Sequence, residues 1–190
     1  MRLNSISMVV LGFLVFSTQS SFAFLQDQKV PSCFDKNTEI QVDNDRVLKF
    51  KTGTKNQFTA RGYISGTIIT QPELKNDHSH FIIQIGPGSK DTIEVIYNIS
   101  PEFGEMAPLN VGDSVSVCGD YITSYARAGG YDPSPAGALI HWVHYNPANR
   151  SGSMNHEHGF IMSGSTLIGF DRAPADDWNG KIIPQPASLQ

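Results

Sequence analysis

From Phe58 to Ile68 the chain alternates without a break. Phe58, Ala60, Gly62, Ile64, Gly66 and Ile68 share one face, and Thr59, Arg61, Tyr63, Ser65 and Thr67 share the other. A period of two over that length is the mark of a half-buried strand and is incompatible with a helix. Glycines within it indicate bends, as at a barrel corner. The same alternation returns in Phe81, Ile83 and Ile85 against His80, Ile82 and Gln84, and in Ile93, Val95, Tyr97 and Ile99 against Thr92, Glu94, Ile96 and Asn98. Gly86-Pro87-Gly88 joins these two segments as a hairpin. Val115, Val117 and Tyr121 then oppose Ser114, Ser116, Cys118 and Asp120, and residues 138–145 form a last core strand.

Five strands, the first long and bent, predict an all-β fold, a five-stranded OB-like antiparallel barrel. Ile64, Ile68, Phe81, Ile83, Val95, Val115 and Val117 are expected inside it. The alternative is an immunoglobulin-like sandwich, which needs about seven strands. Residues 38–42 and 46–51, read as short strands joined by Asp43-Asn44-Asp45, could supply the difference.

The ends read differently. Arg2, the apolar run from Met8 to Phe16 and the small residues Ser21-Phe22-Ala23 form a signal peptide, residues 1–23, with the mature chain starting at Phe24. The apolar run is too short for a membrane span. Residues 24–57 are an N-terminal extension with short strands, 58–170 the barrel domain, and 171–190, rich in Pro, Ala and Asp, a mobile tail. The expected protein is exported, to the periplasm or the medium. Loss of Arg2 with the leader moves the net charge from −4 to −5. That balance argues against nonspecific binding to duplex nucleic acid, which needs many phosphate-neutralising cations.

In an oxidising compartment the two cysteines, Cys33 and Cys118, read as one disulfide. Cys118 lies on the polar face of its strand, so the bond would pin the extension across the outside of the barrel wall. No second cysteine lies near either, which removes thiolate zinc sites and Cys-x-x-Cys redox chemistry.

The six histidines fall in three close pairs, His78/His80, His141/His144 and His156/His158. Imidazoles can bind a metal or move a proton near neutral pH. His141 and His144, three apart on a strand, face opposite sides unless a bulge intervenes. His141 is therefore read as packing in the wall. His144, near the strand end beside Asn146 and Arg150, is the functional candidate. His156-Glu157-His158 is a weak metal tract, and two pairs meeting could hold a divalent metal such as zinc. Ser163-Gly164-Ser165 is no nucleophile elbow, and Gly86-Pro87-Gly88 lacks the lysine and helix of a phosphate loop.

The stretch Ile140-His141-Trp142-Val143-His144-x-x-Pro147-x-x-Arg150 resembles the signature of an exported bacterial domain family with no established activity. Its members carry Ile-His-Trp-Thr-His-x-x-Pro-x-x-Arg-His followed by Gly-Trp-Ile. The resemblance runs from residue 58 to 161, through Gly66, His80-Phe81 and Val111-Gly112-Asp113. It implies a barrel and a site, without a chemistry. Ser151 stands where the family has histidine, and Phe160 where it has tryptophan; His156 or His158 is the replacement.

These residues predict a ligand site of His80, His144, Asn146 and Arg150, joined by His156 or His158. The leading function is an exported module holding a saccharide, phosphorylated ligand or peptide at the barrel mouth, where Arg61, Tyr63, Tyr125, Arg127 and Tyr131 would contribute. The alternative is a metal-dependent hydrolase of phosphoesters, with His144 as acid or base and Arg150 steadying negative charge.

Overall fold

The computed structural model describes residues 31–99, 107–146 and 156–169. The expected leader, the start at Phe24, Arg150 and the tail from 171 lie outside them. In chain order the elements are β1 (Cys33–Asp35), β2 (Thr38–Ile40), α1 (Asn44–Gly53), β3 (Thr59–Ile68), β4 (Glu73–Lys75) and β5 (His78–Gln84). They continue with β6 (Thr92–Asn98), β7 (Ser114–Thr123), β8 (Ala138–His141), β9 (Phe160–Ser163) and β10 (Thr166–Ile168).

β3, β5, β6, β8 and β7 close on one another as a five-stranded OB-like barrel. Four seams are antiparallel and β6–β8 is parallel. The single parallel seam in this antiparallel barrel has a geometric reason. Five strands cannot reverse direction at every seam of a closed circle, so one pair must run parallel. The second edge of β7 is divided. β9 pairs with Val115–Cys118 and β8 with Asp120–Thr123. The β9–β10 hairpin thus widens the sheet beyond the barrel.

All seven residues expected inside the barrel are there, with Ile93, Tyr97, Tyr121 and Ile140 added. Period-two alternation determines the inner face of a strand once one face is buried, and the core follows.

Residues 46–51 are a correction. They belong to α1, a helix, and not to a strand. Asp43 sits outside the helix as its N-cap, its carboxylate accepting from the Arg46 amide at 2.9 Å. Asp45 in the first turn and Lys51 in the last suit the helix dipole. Val47, fully buried, packs into the barrel core together with Leu48 and Phe50. The helix therefore takes part in the packing of the barrel core.

Outside the barrel, a second cluster gathers Cys33, Cys118, Phe160, Met162 and Leu167 beneath Phe34 and Ile40 of the β1–β2 hairpin. Cys33 and Cys118 are disulfide-bonded. The outward parity of Cys118 places the bond on the wall's outer surface, as its strand position requires.

Candidate functional site

Alternate residues of β5 are buried, Ser79, Phe81 and Ile83, so His78 and His80 point out of the barrel. His141 is likewise outward on β8, one residue beyond buried Ile140. Because β6 lies between β5 and β8, both outward sets share one end of one face.

The chain leaves β8 abruptly. Trp142 has φ of +56°, a left-handed conformation that is strained for a bulky residue. That turn keeps Val143 in the core while the rings on either side of it meet outside. Two glycines permit the crossing. A Cβ on Gly119 would collide with the His141 carbonyl and the Val143 side chain, and one on Gly159 with the backbone of Trp142 and Cys118.

The result is a continuous row of rings. His78 lies 6.4 Å from His80 and 5.4 Å from His141, centroid to centroid. Trp142 sits between His141 and His156, each at 4.4 Å. His144 closes the row, 5.1 Å from His156 and 5.9 Å from Trp142. His158 stacks on Tyr145 at 4.6 Å. All three sequence pairs have thus come to one end of the molecule.

Hydrogen bonds hold the row. His80 Nδ1 donates to Glu94 Oε1 at 2.9 Å. His78, His144 and His156 turn Nδ1 toward the carbonyls of Asn76, Tyr145 and Glu157. His158 Nδ1 accepts from the Asn146 amide at 2.9 Å, and the Asn146 side chain donates to the His156 carbonyl at 2.8 Å. Arg61, 5% exposed, anchors the segment from beneath. Its guanidinium pairs with Asp120 at 2.7 Å and donates to the carbonyls of Phe34 and His158.

Burial, the largest influence, lowers the imidazole pKa of His141 to about 3 and of His144 and His158 to about 4. Mutual repulsion with neighbouring imidazoles adds to it, and His156 shifts the same way by burial. At neutral pH the rings of His141, His144 and His158 are uncharged.

The structure distributes the expected site residues unequally. His80 is half-buried on the outer face. His144, 1% exposed, and Asn146, 8% exposed, are buried supports of the row. Among the described residues no group of three or more His, Cys, Asp or Glu side chains could hold a metal ion. Among the described residues the rings of His156 and His158 meet no third such donor; one stacks on Trp142 and the other on Tyr145.

Of the expected mouth residues, Arg61 is a buried anchor and Tyr63 packs edge-on against Phe160 at 5.6 Å. Tyr125, Arg127 and Tyr131 stand on the loop entering β8, at the end of that strand opposite His141. Trp142, His78, His141 and Glu94 belong to the row, and the ligand residues expected from sequence did not include them. Strand parity signals that His78 and Glu94 point outward, but not that they meet; His141, read from sequence as packing in the wall, lies outward beside His78 instead. A scan against protein-family models and a search of curated proteins both return no match for the chain.

Proposed function

We propose that the protein is an exported binding module whose ligand surface is the histidine end of the barrel. The supporting observation is the continuous row of rings about Trp142, in which His141, uncharged at neutral pH, stays partly open beside His78 and His80. Neutral imidazoles offer hydrogen-bond donors and acceptors without charge, which suits a neutral polyhydroxyl ligand such as a saccharide. A phosphorylated ligand is less well served. The two cationic side chains carried by β3 to β8, Arg61 and Lys75, face Asp120 and Glu73. The disulfide and the sequence signature of residues 140–150 accord with export. Histidine-selective NMR during titration with neutral oligosaccharides and their phosphorylated counterparts tests the reading. Saturable shifts of His78, His80 and His141 with a neutral sugar are expected. No shift with any sugar, or shifts with phosphorylated sugars alone, would overturn it.

The hydrolase reading retains one favourable observation, the His80–Glu94 pair, in which a carboxylate holds the proton on Nδ1 and leaves Nε2 as a base. It predicts phosphoesterase turnover that His80→Ala abolishes; none by the purified protein, with or without added divalent metal, rules it out.

A further inference from the structure

The loop between β7 and β8 presents a second surface, independent of the histidine row. Long loops without regular elements are generally either loosely ordered or built for recognition. This one is built. The Asn56 side chain accepts from the amides of Tyr125 and Ala126 and donates to the Ala126 carbonyl, all within 3.1 Å. The Asn56 amide donates to the Tyr125 hydroxyl at 3.0 Å, fixing the tilt of that ring. Ser124, Ser134 and Gly137 tie the base together through three backbone hydrogen bonds. At the tip, Ala128 and Tyr131 exchange backbone hydrogen bonds across Gly129-Gly130, both with positive φ. That is the primed two-residue turn that glycine favours. Arg127 and Asp132 form the next rung, an ion pair at 3.6 Å.

Tyr131 is 81% exposed and Tyr125 57% exposed on this rigid frame, the two most exposed aromatic side chains among the described residues. An aromatic ring held in water on an ordered loop loses little entropy when a partner stacks on it. Within 125–132 the amides of Tyr125, Ala126, Ala128 and Tyr131 and the carbonyls of Ala126, Ala128 and Tyr131 are engaged internally, which interrupts the run of main-chain partners that an extended peptide needs. The side chains flanking Tyr131 are one planar donor and one planar acceptor whose charges cancel.

We infer that residues 125–132 form a saccharide-stacking platform, with the Tyr131 ring against the apolar face of a neutral pyranose and Arg127 and Asp132 hydrogen-bonding its hydroxyls. The platform lies at the other end of β8 from the histidine row and does not depend on ligand binding there.

Amide-resolved NMR of the mature, oxidised chain tests it, with cellohexaose, laminarihexaose, N-acetylchitohexaose and a proline-rich decapeptide as probes. One of the sugars should shift residues 125–132 saturably at millimolar concentration. Tyr131→Ala should weaken that binding about tenfold, as expected for loss of a stacked ring, and Tyr131→Phe should retain it. Thermal unfolding of both variants should match the parent, since the ring is exposed. Sugar shifts confined to His78, His80 and His141 would overturn the platform and leave the histidine-end reading standing. Shifts at 125–132 from the peptide alone, or from no probe, would also overturn it.

Discussion

Arg61 occupies the polar face of β3, where alternation alone assigns a solvent-facing side chain. The fold instead roofs it with Phe34, Asp120 and the segment at His158, so that it closes three elements together. Removing a buried member of an ion pair leaves its partners desolvated and unsatisfied. Arg61→Ala should therefore cost about 3 kcal/mol in denaturant unfolding. Arg61→Lys should recover only part of this, because an ammonium cannot reproduce the planar fork. Trp142 shows the converse. Its ring identity is visible in the sequence, but its left-handed backbone is imposed by the need to send Val143 inward while His141 and His144 remain outside.

At the scale of elements, α1 is where pattern and structure part. Residues 46–51 mix branched, aromatic and basic side chains at a length too short for either period to dominate. What decides is the cap before them and the core beside them. Asp43→Ala should lower stability by about 1 kcal/mol, measured by thermal or chemical unfolding, since the Arg46 amide loses its acceptor. The β1–β2 hairpin depends on a different device. It has three residues per strand and packs on the outer cluster, and the disulfide closes a separation of 85 residues to hold it there. Replacing Cys33 and Cys118 together with alanine should cost roughly 2–5 kcal/mol. Hydrogen exchange should show the loss first in β1 and β2, with the barrel strands protected.

For the whole molecule, the buried neutral histidines couple stability to pH. Unfolded histidines take up protons near pH 6.5, whereas folded His141 does so near 3 and His144 and His158 near 4. The unfolded state therefore binds more protons across that interval. Stability should be full above about pH 6.5 and fall as pH drops toward 4, by at least ~1.4 kcal/mol per pH unit, the slope for one proton. Urea unfolding at stepped pH measures this; a flat profile between pH 6.5 and 4.5 would contradict the buried neutral row. What the sequence by itself determined is the inner face of the barrel and the outward parity of Cys118. Each follows from a period of two, which is local and needs no knowledge of neighbours. The parallel β6–β8 seam, the helix at 44–53, the β9–β10 hairpin and the meeting of His141, His144 and His156 about Trp142 were decided only by the tertiary structure. They depend on which strands lie side by side and how a ring of five closes, relations between distant residues that no local pattern encodes.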